Sequence, residues 1–295
     1  MNRADIAALL ALGAALCIAI GDVIHQRSAH DVTDDSVSHL GLFKRLLRDG
    51  RWWLGSGVAA AGFALQAAAL GLGSVLLVQA LLVTSLLFAL PINARLTRRR
   101  VTRWEWMWAA LLAGAVAVIV TVGNPTAGHA RAPWEAWTLV LAVLGPAVAV
   151  CLVGARIFTG ARSAVLLALV SGALWGVFAV LTKGVVNHLL VHSWGGVFTL
   201  LRVPELYVWI LVAIAGTVVQ QSSFRAGALT ASLPTMTVTE PVVASVLGIV
   251  VLGETLRPGD AGWVTLVATI AVMVAATVAL ARGEAAEEPA TVPAH

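Results

Sequence analysis

Nine runs of this chain, each about twenty residues long and nearly free of charge, constrain its fold more than any other feature. They cover roughly 5–27, 52–71, 74–95, 104–122, 134–154, 163–184, 205–223, 229–252 and 260–281. A helix rising 1.5 Å per residue needs about 20 residues to cross a bilayer core. With 59% hydrophobic residues, 12% charged residues and a mean hydropathy of +0.91, 295 residues cannot hide their apolar surface in a soluble domain. Lipid is therefore the solvent for most of the molecule, and the expected fold is an all-α, polytopic transmembrane helical bundle. The first run could pass for a signal peptide, but Leu16 before Cys17 is a poor cleavage context and the apolar run continues beyond it, so it reads as a retained helix. Cys17 and Cys151 sit in separate apolar runs, which argues against a disulfide framework or a zinc site.

Basic residues give the orientation. With the N-terminus outside, 14 of the 19 Lys and Arg fall on the inner side, many of them in the segments Lys44–Arg51 and Arg95–Arg103. The high pI of about 9.8 is thus a topology signal that needs no nucleic-acid partner. Trp52, Trp53, Trp104, Trp106, Trp108, Trp134, Trp137 and Trp263 stand at span ends, as an aromatic belt requires. The expected protein is a multi-pass cell-membrane protein with a cytoplasmic C-terminus. The stretch from Asn187 to Leu201 reads as an amphipathic interfacial loop rather than a tenth span, and 283–295 as a disordered polar tail.

Two segments resemble each other. "GFALQAAALGLG" from Gly62 and "GTVVQQSSFRAG" from Gly216 share a Gly, the glutamines Gln66 and Gln220, and a second Gly at the same spacing. Spans two to four then correspond to spans seven to nine with opposite direction, the pattern of inverted-repeat transporters. The chain accordingly divides into a first half, 1–126, and a second half, 127–282, ahead of the tail.

Polar groups inside the spans are costly and point to function. Glu240 lies near the middle of the eighth span, where a charge costs about 2.5–3.5 kcal/mol. Pro241 follows it and deprives the carbonyl of Thr237 of its helical partner. Thr237 is one turn from Glu240, so carboxylate, hydroxyl and free carbonyl converge, a set suited to a cation or a proton-coupled amine. A permanently paired structural acid is the competing reading. Asp22 and His25 share a face of the first span, as a proton relay near the inner side or as a hydrogen-bonded helix end. Gln66, Gln79 and Gln220 offer amides to a polar cargo or to neighbouring helices. Lys183 reads as snorkelling to water and Trp175 as a core aromatic.

The segment from Ala228 to Trp263, with Glu240-Pro241 and then Leu252-Gly253-Glu254, resembles the last helix pair of EamA-type members of the drug/metabolite transporter superfamily. Trp52, Trp53 and Gly55, Asn124-Pro125, Ser171-Gly172 and Lys183-Gly184 are similar in order to the NIPA-type branch, whose members transport magnesium. The Glu-Pro pair departs from that branch, and "RLTRRR" replaces the first-half Leu-Gly-Glu. The resemblance implies a secondary transporter with no cofactor, alternating access around a central cavity.

The expected function is movement of a small polar or cationic solute, with Glu240, Thr237, Gln220, Gln66 and Gln79 at the cavity and Asp22 and His25 near the inner gate. No enzyme constellation is visible. A divalent-cation pathway, a flippase for a lipid-linked substrate, and a non-transporting scaffold of an envelope complex remain open alternatives. The expected partners are the solute or ion, the bilayer, anionic lipid at the basic loops, and a second copy in a homodimer.

Overall fold

The structure is a computed structural model and describes residues 2–32, 50–96, 100–192, 199–226, 229–258 and 262–287. The described residues form ten helices. These are α1 (Arg3–Val32), α2 (Gly50–Leu72), α3 (Val75–Leu82), α4 (Ser85–Leu96), α5 (Arg103–Thr121), α6 (Trp134–Ile157), α7 (Ala161–His192), α8 (Pro204–Ala226), α9 (Leu229–Leu252) and α10 (Gly262–Glu287). Since α3 and α4 together make one crossing, the described residues give nine spans, as the apolar runs require.

The spans from Val75 to Arg95 and from Ala161 to Val191 are the most buried, and the others pack around them. Helix α1 packs on α2, α5 on α10, and α7 on both α8 and α9. Of the described side chains on α6 only Val140 is buried, and Leu141, Val143, Val150 and Ile157 point outward. In water that would be unstable, but against hydrocarbon it costs nothing.

Missing side chains set the closest crossings. A Cβ on Gly172 would lie 2.7 Å from Thr239 Cβ, and one on Gly176 would lie 2.9 Å from the backbone N of Ala244. This Gly-x-x-x-Gly pair lets α7 and α9 touch backbone to backbone. Gly62 plays the same part between α2 and α1, where its Cβ would meet Ala14 O at 3.3 Å.

Three elements differ from the sequence reading. Helix α7 runs on to His192, so Asn187–His192 is helix rather than interfacial loop; 193–198 lies outside the described residues. Helix α10 reaches Glu287, which takes in the first residues of the expected tail; 288–295 lies outside the description. The third crossing is broken. Thr84 N–H bonds to Leu81 O (3.0 Å) and Leu86 N–H to Val83 O (3.3 Å), so i→i−3 bonds interrupt the helix at Val83–Thr84. The Thr84 hydroxyl also donates to Leu81 O, competing with the helical ladder.

Loops on one side of the bundle hold each other. Thr126 and Thr255 form a β-bridge, Arg257 N–H donates to Gly123 O (2.9 Å), and His129 N–H donates to Leu252 O (2.6 Å).

Candidate functional site

Two carboxylates belong to the α9 region, and the structure treats them in opposite ways. Glu254 follows Gly253, whose φ of 64° ends α9 in the left-handed region that suits glycine. The chain turns there, and Glu254 N–H reaches back to Gly248 O (3.0 Å). Its side chain folds into the space left by the absent side chain of Gly248, where a Cβ would come 2.9 Å from Glu254 Oε2. There it meets the start of α3. Glu254 Oε1 accepts from Val75 N–H (2.7 Å) and Oε2 from Leu76 N–H (3.0 Å), while Ser74 Oγ caps Leu77 N–H (3.1 Å). Lys183 Nζ completes the set at 2.6 Å from Oε1.

Lys183 is 4% exposed and Glu254 1%. The expectation that Lys183 snorkels to water is corrected. Because α7 continues beyond it to His192, Lys183 lies inside the helix and not at its end, so a carboxylate is the nearer partner. Every acceptor demand is met: the anion sits on unbonded N–H groups at a helix start and beside a cation.

Glu240 has none of this. It is half-buried on α9, and no hydrogen bond or ion pair joins its carboxylate to any described residue. Its backbone N lies 3.1 Å from the Cβ position of Gly172, so α7 passes directly beside it. The Thr237 hydroxyl donates to Leu233 O (2.8 Å), which orients its oxygen but takes its proton away from a cargo. Pro241 is buried and brings no N–H to Thr237 O.

Depth connects Glu240 to the broken crossing. Gly248 stands beside Val75, its Cβ position 3.5 Å from Val75 Cβ. Eight residues back along α9 leads to Glu240, and eight forward along the antiparallel third crossing leads to Val83. At 1.5 Å per residue, both points lie about 12 Å deeper. The interruption at Val83–Thr84 and the unpaired carboxylate therefore share a level. Between the two levels, Gln79 is 2% exposed, and its Nε2 has no hydrogen-bond partner.

The remaining amides separate. Gln220 is held: its Oε1 accepts from Trp175 Nε1 (3.1 Å). Trp175 in turn meets Phe178 edge to face, and Phe178 stacks on Trp209, so the expected core role of Trp175 is the observed one. Gln66 is half-buried on α2, with no hydrogen bond to a described residue. Asp22 and His25 fall within α1, but their side chains lie outside the described residues.

Sequence reasoning had Glu254 only as part of a motif and missed its role. The available signal was Gly253, which ends a long apolar run and must turn the next residue back on the bundle.

The chain matches no family model and no solved structure. It is 39% identical over 277 residues to an uncharacterized protein of Corynebacterium glutamicum, spanning 94% of this chain and 95% of that protein.

Proposed function

Because the chain belongs to the same family as the Corynebacterium glutamicum protein, whose name carries no activity, we propose a function from its own chemistry: a secondary transporter of a small polar or cationic solute. Solute and protons would exchange on Glu240 as two bundle halves rock about it. The observation that supports this reading is the contrast between the two acids. A carboxylate costs free energy wherever it is buried, and here one is matched by a cation and two N–H groups while the mid-membrane one has no partner among the described residues. An acid without a fixed partner can bind a proton or a cation and release it; an acid held by Lys183 and a helix end cannot. A break in the facing crossing at the same level gives backbone groups that can join it, as in discontinuous transporter helices. The resemblance to the drug/metabolite transporter superfamily and the inverted repeat agree with this reading, which places the N-terminus outside.

The test uses purified protein in vesicles loaded with a pH-sensitive dye. Permanently charged quaternary amines and amino acids are added outside, and proton flux is followed. Wild type is expected to move protons in response to at least one solute, and Glu240→Gln to lose at least about tenfold of that flux, the value of about 1.4 kcal/mol of lost binding. Undiminished flux in the variant would remove Glu240 from the mechanism.

A further inference from the structure

At the membrane boundary beside the 123–133 loop, a second polar site has no place in the transport reading. Arg131 Nε donates to Glu205 Oε1 (2.7 Å), and its Nη2 pairs with the same oxygen. The other oxygen, Glu205 Oε2, is buried and has no hydrogen-bond partner. Glu205 lines a pocket of about 20 Å³ together with Arg131, Gly184 and His188, room for one water-sized group.

Trp137, Leu181 and Glu205 line this pocket and also a groove of about 330 Å³ between α6, α7 and α8. Beyond Glu205 the groove is apolar, walled by residues such as Leu141, Leu144, Val148, Val177, Val208 and Val212. From Trp137 to Val148 it follows α6 for about 16 Å of helix rise. It borders α6, whose only buried side chain among those described is Val140, so it opens sideways to lipid.

We propose that this composite site binds a glycerophospholipid whose headgroup ends in a primary amine. The ammonium enters the small pocket and donates to Glu205 Oε2, whose lone pairs nothing else uses. The phosphate meets the guanidinium of Arg131, whose side chain is 51% exposed against 15% for Glu205. One acyl chain lies in the groove. A trimethylammonium headgroup has no N–H to give and exceeds a water-sized pocket, so a choline lipid is excluded from it. A glycerol headgroup brings hydroxyls but no positive charge. A lone water would satisfy Oε2 but would leave the continuity of pocket and groove without a use.

The experiment is native mass spectrometry of the full chain in non-ionic detergent. Phosphatidylethanolamine, phosphatidylcholine and phosphatidylglycerol with identical chains are supplied in equal amounts. Wild type should retain the ethanolamine lipid over the choline lipid by about fivefold or more. Glu205→Gln should abolish that preference, and Arg131→Ala should weaken all three lipids. Stepwise N-methylation of the ethanolamine lipid should lower retention in the wild type, a readout that needs no variant. Soluble phosphoethanolamine at the same concentration should not displace the lipid. Equal retention of ethanolamine and choline lipids would mean that the pocket holds water and the groove any neighbouring lipid. That result, a preference surviving Glu205→Gln, or displacement by soluble phosphoethanolamine would overturn the proposal.

Discussion

Removing either partner of the Lys183–Glu254 pair should cost far more than removing both. At 2.6 Å the attraction is about 6 kcal/mol for an effective dielectric constant near 20. Stripping water from the two ions offsets most of this at several kcal/mol each. The intact pair is thus close to neutral in stability, yet a surviving lone charge keeps its desolvation cost. Glu254→Gln leaves the Lys183 ammonium alone and replaces one acceptor oxygen at the start of α3 with an amide donor. Lys183→Met leaves a carboxylate with only the Val75 and Leu76 N–H groups. Each single change should lower stability by about 3–5 kcal/mol. The double variant should be more stable than either single variant and lie within about 2 kcal/mol of wild type, because neither stray charge remains. The assay is equilibrium unfolding by SDS in mixed micelles, read by tryptophan fluorescence. Losses that add to within about 0.5 kcal/mol, or a single variant as stable as wild type, would refute the pairing argument.

Other substitutions probe the helix contacts and the buried amide. Gly176→Ala puts a Cβ 2.9 Å from a backbone nitrogen of α9 and should cost about 1–3 kcal/mol in the same assay. Gly114→Ala, with nothing within 4 Å, should be neutral or stabilise by about 0.5–1 kcal/mol; equal effects would mean that the crossing is not set by glycine. Gln79→Leu removes an unpaired buried Nε2 and should stabilise by about 1 kcal/mol while lowering proton-coupled flux in vesicles. Unchanged flux would take Gln79 out of the solute path.

The spans were legible because bilayer thickness converts directly into run length, and no long-range contact is needed to read it. The break in the third crossing was not. Val83-Thr84-Ser85 contains neither Gly nor Pro, and what interrupts the helix is a threonine hydroxyl turned onto Leu81 O. Lys183 was misread for a related reason: reading Asn187–Leu201 as an interfacial loop put Lys183 near a helix end, where α7 goes on for two more turns. Its partner lies 71 residues away, so no local pattern could have supplied it. The same applies to Trp175 and Gln220, 45 residues apart. Glu240 stood out from its depth alone. That it has no partner among the described residues, whereas Glu254 has three, became visible only from the packing of α3, α7 and α9.

The most direct measurement is reaction of the protein in membranes with an apolar carbodiimide, which adds to carboxylic acids in low-dielectric surroundings, followed by peptide mass spectrometry. An adduct on Glu240, with Glu254 unmodified behind Lys183 and the α3 start, is the predicted result. An unmodified Glu240, or equal modification of the two acids, would contradict the assignment of Glu240 as the unpaired, exchangeable acid.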